Sequence, residues 1–336
     1  MIELLVILLL VLILPFTVKV IERNLEIFIL VMGFLTAQIS NVFNRDLLIQ
    51  ALQDPILITL AVFMAGLMFK WFQNHLKRSI KWLTSFIPHS LFLALVVVVL
   101  GLISSIITAI IATLVLVSIV TLVQLDRQSE VRFVVLACFA IGLGAALTPV
   151  GEPLSTIAIS KLNQDFFYLI RLIGRDIFAA LAILGWLTIV LVRPVPLDQH
   201  RSTPHSETYG QIILRTVKVY LFIMGLTFFG HGFQPFIDRY LINLHPLLLY
   251  WINMISAVLD NATLTAAEIS PAMHEASIRA LLLGLLISGG MLIPGNIPNI
   301  IAAGQLNITS REWARFGLPL GLAFMLLFFI ILVYIR

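Results

Sequence analysis

Residues 90–123 contain no charged side chain, and several other stretches of the chain are nearly as apolar. Of the 336 residues, 60% are hydrophobic and only 11% are charged, whereas roughly 25% of a soluble domain is charged. Mean hydropathy is +1.06. Because a lipid-exposed backbone must pair its own polar groups, apolar runs of this kind fold as helices. The sequence therefore predicts an all-α polytopic membrane protein.

The lengths of the apolar runs predict eight spans and two re-entrant hairpins. Residues 90–123 exceed one span but fall short of two spans plus a turn, which need about 40 residues. We therefore expect a helical hairpin with its tip near residues 101–108. Two tightly joined spans are the alternative. Residues 246–273 have a similarly intermediate length and predict a second hairpin.

Two further spans carry proline and glycine at their centres. One reads Thr148-Pro-Val-Gly-Glu-Pro153, and the other reads Pro294-Gly-Asn-Ile-Pro-Asn299. Proline lacks an N–H donor and clashes with the preceding turn, so a regular helix cannot continue through either stretch. We expect broken transmembrane helices near 148–153 and 294–299.

The two halves of the chain can be overlaid. Pro149 falls on Pro294 and Pro153 on Pro298 without a gap, and at the hairpin tips Thr108 falls on Asp260. Each half then reads as span, hairpin, broken span and span. The predicted units are a two-span scaffold at 1–54, a first repeat at 55–193, a loop at 194–210 and a second repeat at 211–336.

The positive residues set the expected orientation, because Lys and Arg favour the cytoplasmic side. Placing Lys19 and Arg23 inside puts most positive residues inside and both termini outside. The halves then have opposite orientation, and inverted repeats with broken helices are typical of secondary transporters. We expect the protein in the cell (inner) membrane.

Buried acids at backbone breaks are the candidate binding residues, since an intramembrane carboxylate costs about 2.5–3.5 kcal/mol even on lenient scales. We predict two half-sites, each made of one hairpin tip and one helix break. The first comprises Ser104, Ser105, Thr108, Thr148, Gly151 and Glu152, and the second comprises Asp260, Asn261, Thr263, Gly295, Asn296 and Asn299. Such oxygen-rich surroundings suit sodium or protons.

Each of these residues also has a structural interpretation. Asp260 and Asn261 could cap a helix, and Glu152 could lie in a surface turn. The remaining structural alternatives are turn formation by Asn296 and Asn299 and close helix packing at Ser104 and Ser105. Asp176 lies between apolar residues, and we expect it to pair with the neighbouring Arg171 or Arg175.

The segment from Ser256 through Asp260-Asn261 to Thr263 resembles the hairpin-tip motif of the ion transporter superfamily, and both proline-containing stretches resemble its broken helices. That group includes NhaD-type sodium/proton antiporters, arsenite permeases and sodium-coupled dicarboxylate symporters. Within it, the chain is most similar to a family labelled only as cation transporters. The resemblance covers roughly residues 55–335 and implies an elevator-type fold. Thr108 in place of an acid, and Glu152 in place of a neutral residue, depart from the usual pattern.

These observations together predict a cation/proton antiporter, most simply for sodium, with both carboxylates in the binding sites. A sodium-coupled symporter or exporter of a small anion is the alternative, although no Lys or Arg lies in either tip or break. An intramembrane enzyme is a remote third possibility, because the chain lacks the common hydrolase motifs. The expected partners are the lipid bilayer, a small inorganic cation and a second copy of the chain. No cofactor and no nucleic acid are expected.

Overall fold

The computed structural model describes residues 2–84, 87–123, 125–193, 208–240, 245–254 and 261–334. Within these ranges the chain forms helices and no β-strand. The α-helices are α1 (Ile2–Thr17), α2 (Lys19–Arg23), α3 (Leu25–Ile39), α4 (Arg45–Thr84), α5 (His89–Ile107), α6 (Ala109–Val120), α7 (Arg127–Ala145), α8 (Pro153–Leu162), α9 (Tyr168–Leu191), α10 (Tyr209–Tyr240), α11 (Pro246–Ile252), α12 (Asn261–Glu268), α13 (Glu275–Gly289), α14 (Ile297–Leu306) and α15 (Ser310–Tyr334).

Six of the described helices are long and apolar enough to cross a membrane: α4, α5, α7, α9, α10 and α15. Large apolar side chains on their outer surfaces, such as Trp186 and Leu326, are more than half exposed. Exposed apolar residues of this size suit contact with lipid rather than water. The chain is therefore an all-α integral membrane protein.

Several helix boundaries differ from the sequence prediction. The polar residues at 45–54 indicate a short connection between two spans, but they are helical and continue through Pro55 into one 40-residue helix, α4. Proline lacks the N–H that would pair the Ala51 carbonyl, and membrane helices tolerate such an interruption. The Thr59 hydroxyl donates to the Pro55 carbonyl at 2.8 Å, which is the usual back-bond of a helical threonine. The N-terminal helices α1 and α3 have only 16 and 15 residues, fewer than the spans predicted there.

The segment at 90–123 forms one long and one short helix. α5 has 19 residues and is long enough to cross a membrane, whereas α6 has 12. At 1.5 Å per residue α6 is about 18 Å long and cannot cross a hydrocarbon core about 30 Å thick. The short α6 favours the hairpin over two full spans. The chain turns at Thr108, at the end of the predicted tip, and α6 packs back against α5.

Several helix contacts of the first half have counterparts in the second half. α5 packs on α7, just as α11 packs on α13. The second arms exchange between the halves, because α6 packs on α14 and α12 packs on α8. Helices α7 and α13 are buried along most of their length, so their side chains form the core between the two broken helices. The predicted loop at 194–210 lies mostly outside the described residues.

Glycine sets the close packing of α3 against α10. A Cβ atom added at Gly225 would lie 2.6 Å from the Leu30 nitrogen and 2.8 Å from the Ile29 carbonyl carbon. Across the same contact, the Ser40 hydroxyl donates to the Gly232 carbonyl at 2.6 Å. Small residues let helix backbones approach closely in membranes, where van der Waals packing drives association.

We predict that Gly225→Ala destabilises the protein by about 1–3 kcal/mol, because the added methyl meets backbone atoms that cannot move aside. The matched control is Gly210→Ala in the same helix, where a Cβ would meet nothing within 4 Å. Thermal unfolding of the purified variants measures both effects. Equal stability of the two variants would contradict the close α3–α10 contact.

Candidate functional site

The first helix break lies between α7 and α8, where the two prolines predict it. α7 ends at Ala145, and α8 begins with Pro153 at a position that needs no N–H donor. A Cβ at Gly151 would lie 2.0 Å from the Ala145 carbonyl oxygen, so only glycine fits this turn. The Gly151 carbonyl accepts a hydrogen bond from the Ala109 N–H at 2.9 Å. The break is therefore joined directly to the start of α6.

The first hairpin tip meets this break through its side chains as well. The Thr148 hydroxyl donates to the Ser105 carbonyl, and the Ser105 hydroxyl donates to the Leu102 carbonyl at 2.7 Å. Thr108 turns the chain with φ 76°, a left-handed conformation that a β-branched residue adopts only under local strain. Ser104 faces α7 and donates to the Ile141 carbonyl at 3.0 Å, which is a helix-packing contact.

Glu152 occupies the N-cap position of α8 and is 7% exposed. The alternative that Glu152 lies in an exposed surface turn is therefore wrong. A carboxylate at a helix N-terminus is favoured by the positive end of the helix dipole. The structure thus places a buried acid at the first break, next to the residue whose carbonyl contacts the first hairpin tip.

The second break lies between α13 and α14 and contains a short 3-10 turn, Ile293–Gly295. Asn299 is fully buried, and its Nδ2 donates to the carbonyls of Gly289 at 2.9 Å and Leu292 at 2.8 Å. These carbonyls belong to the end of α13 and to the break itself. The Asn299 Oδ1 has no hydrogen-bond partner. Asn299 therefore holds the break together and leaves one buried oxygen available.

Two other amides lie around the second break. Asn296 caps α14 by position, and its Nδ2 lies 2.6 Å from where a Cβ at Gly142 of α7 would be. Asn261, the first residue of α12, is buried. Its Nδ2 lies 2.5 Å from where a Cβ at Gly289 would be. The structure thus brings Asn261 to the end of α13 and Asn296 to α7. Asp260 and the side chain of Thr263 lie outside the described residues.

The structural correspondence between the two breaks is shifted by one residue relative to the overlay of the two sequences. Glu152 and Asn296 both occupy N-cap positions, with φ/ψ of −154°/159° and −153°/148°. Asn163 and Asn307 both end the following helix in the left-handed conformation, with φ 50°. The overlay on prolines pairs Glu152 with Ile297 instead. It is offset because Pro153 is the first residue of α8, whereas Pro298 is the second residue of α14.

Sequence reasoning missed one buried acid, Glu268. The spacing of Asn261, Thr265 and Glu268 places all three on one face of α12, and all three are buried. This i, i+4, i+7 pattern was the available signal. Its partner Asn253, in the other arm of the hairpin, is far away in sequence and gave no signal of its own.

The partner predicted for Asp176 was also wrong. Asp176 is buried and accepts two hydrogen bonds from Arg279 of α13, at 2.7 and 2.8 Å. Arg171 instead pairs with Asp165, which precedes α9. The neighbouring arginines are exposed on their helix, whereas Arg279 approaches from a packed helix that the local sequence does not reveal.

A cavity of about 690 Å³ lies beside the second broken helix. Its walls include Glu26 and Lys218, which form an ion pair at 2.8 Å, and Ile300 and Gly304 of α14. None of the predicted half-site residues lines this cavity. It separates part of α14 from the N-terminal helices and from α10.

A protein-family model described as "Protein of unknown function (DUF1646)" matches residues 1–335 of the chain. A search of curated proteins found no match.

We predict that Asn299→Asp lowers the free energy of unfolding by about 1–3 kcal/mol, because the buried Gly289 carbonyl loses its side-chain donor. The Leu292 carbonyl also loses the Asn299 donor but keeps the N–H of Gly295 at 3.3 Å. Asn296→Asp is the matched control. Its side chain makes no capping hydrogen bond, and a carboxylate is favoured at a helix N-terminus. Thermal unfolding in detergent compares the two. If Asn299→Asp is no less stable than Asn296→Asp, Asn299 does not hold the break.

Proposed function

The chain belongs to the DUF1646 family, and we propose that it is a secondary active transporter of small cations, most simply a sodium/proton antiporter. The observation that carries this proposal is the buried acid Glu152 at an interruption of a membrane helix. A carboxyl group at such a position is expensive to bury and is a functional candidate by default. The interruption also frees backbone groups that can share the coordination of an ion.

We further propose that the two halves are inverted repeats. The exchange of second arms between halves supports this proposal, since a pseudo-two-fold axis generates it. In the proposed arrangement the hairpins and broken helices move as an elevator against a scaffold that includes α3 and α10. The protein lies in the cell (inner) membrane with both termini on the non-cytoplasmic side, and two copies form a homodimer.

Exchange requires sodium and protons to compete for the same carboxyl groups. Glu152 and Asp260 would each bind either a proton or a sodium ion, since burial without a cation favours the protonated form. Oxygen atoms near the breaks, including the Asn299 Oδ1, would complete the coordination shell. Alternating access then converts this competition into antiport, with the ions as transported substrates and no resident cofactor.

Anion transport is the second candidate. The N-termini of α8 and α14 both lie at breaks, and helix N-termini favour anions. No Lys or Arg lies at positions 104–108, 148–153, 260–263 or 294–299. The missing positive charge favours the cation, while the helix ends keep anion coupling as the alternative to be tested.

We predict that Asp260→Asn and Glu152→Gln each reduce sodium-driven proton movement at least tenfold, because neither amide can exchange a proton for a cation. Proteoliposomes with an imposed sodium gradient and an internal pH dye measure the rate. The matched control is Asp46→Asn, which neutralises an exposed acid at the start of α4 and should transport normally.

Full exchange by both variants would reject the proposed sites. Anion coupling has a separate signature. An antiporter moves protons in liposomes that contain only gluconate, whereas a symporter or exporter needs its transported anion.

A further inference from the structure

The two arms of the second hairpin are joined by a buried carboxyl–amide contact. Asn253 follows the last residue of α11, and Glu268 is the last residue of α12. The Asn253 Nδ2 donates to the Glu268 Oε2 at 2.9 Å. Ser288 of α13 fixes the backbone beside this contact, because its hydroxyl donates to the Asn253 carbonyl at 2.7 Å.

Three oxygen atoms of this cluster have no hydrogen-bond partner. They are the Asn253 Oδ1, the Thr265 Oγ1 and the Glu268 Oε1, and their residues are 1%, 0% and 4% exposed. Among the described residues, no Lys, Arg or His forms an ion pair with Glu268. A buried carboxyl group without a cationic side chain needs a proton or a bound cation.

The first half shows that packing alone does not require these polar groups. In the α5–α7 contact, a Cβ at Gly144 would lie 1.7 Å from the Gly101 carbonyl oxygen. Counted back from the starts of α6 and α12, Gly101 corresponds to Asn253, and counted back from the N-caps of α8 and α14, Gly144 corresponds to Ser288. The eighth residue of α6 is Leu116, which is fully buried, whereas the eighth residue of α12 is Glu268.

The threonines in the second arms of the two hairpins also differ in their hydrogen bonding. Thr113 and Thr265 are each the fifth residue of the second arm and are both fully buried. The Thr113 hydroxyl donates to the Ala109 carbonyl at 2.7 Å, the usual back-bond of a helical threonine. The Thr265 hydroxyl makes no hydrogen bond. The second arm therefore has an unpaired hydroxyl oxygen at Thr265, whereas the hydroxyl at the same position of the first half is hydrogen-bonded.

The electrostatic surroundings favour a positive ion. α12 ends at Glu268, so a helix C-terminus with partial negative charge lies at the cluster. Carboxyl, amide and hydroxyl oxygens are ligands for hard cations. We propose that Asn253, Thr265 and Glu268 form a binding site for a monovalent cation of the sodium class, between the two arms of the second hairpin.

This site is separate from the predicted half-sites. Glu268 is seven residues beyond Asn261, about 10 Å along α12. A cation bound there would join the two arms and stabilise the hairpin that carries Asp260. The inference deepens the proposed function and rests on it for the meaning of the ion, but binding itself can be measured without transport.

Equilibrium binding of radioactive ²²Na⁺ to the purified full-length protein in detergent tests this site. We expect Glu268→Gln and Glu268→Leu each to bind one sodium ion fewer per chain than wild type at saturation. The leucine variant copies Leu116 of the first half and should fold. Asp46→Asn, which neutralises an exposed acid, should bind as wild type does. In an Asp260→Asn/Glu152→Gln background, the remaining sodium binding should disappear when Glu268→Gln is added.

Thermal unfolding gives a second readout, because an ion that binds only the folded state raises its stability. Sodium chloride should raise the unfolding temperature of the Asp260→Asn/Glu152→Gln protein relative to choline chloride, and Glu268→Gln should remove that increase. If the glutamine variant does not fold, Glu268→Leu with Asn253→Gly, which reproduces the pair in the first half, is compared instead.

The site is rejected if folded Glu268 variants bind as many sodium ions as wild type, or if wild type binds none. Unchanged binding with a lower unfolding temperature would show that Asn253 and Glu268 only brace the hairpin. That result leaves the proposed antiport intact. Normal transport by Asp260→Asn and Glu152→Gln would instead reject the antiport sites and leave the binding result at Glu268 standing.

Discussion

A backbone that is interrupted within a membrane must find new partners for the carbonyls and amides that the interruption frees, because lipid offers none. The two breaks solve this differently. At the first, the Gly151 carbonyl pairs with the start of α6, and Thr148 pairs with the hairpin tip. At the second, the Asn299 side chain donates to the Gly289 and Leu292 carbonyls of its own half, and the Trp313 indole donates to the Gly290 carbonyl. The helices around each break are placed by these bonds.

The two halves share a contact pattern but differ in where charge is buried. The first break carries Glu152 where the second carries Asn296. The second hairpin carries Glu268 where the first carries Leu116. Helices that make corresponding contacts in the two halves therefore carry different buried side chains. Since burying each acid costs free energy, the unequal distribution is informative about function and is not needed for packing.

Residue patterns predicted the parts of the fold that depend on local backbone chemistry. The positions of both breaks and of the Thr108 turn follow from proline, glycine and run length. Helix length was predicted less well, because the polar residues at 45–54 continue a helix that the bilayer thickness alone would end. Aligning the two halves on their prolines shifts the breaks by one residue, because a proline fits either of the first two positions of a helix.

The sequence alone determined the membrane class and the places where helices stop, because hydropathy and the missing proline donor act within a single segment. Only the tertiary structure decided which polar groups meet. Asp176 reaches Arg279 between the packed helices α9 and α13, and Asn253, just after α11, reaches Glu268 at the end of α12. Such contacts depend on helix rotation and on close approach at glycines, and a linear pattern of residues does not encode either one locally.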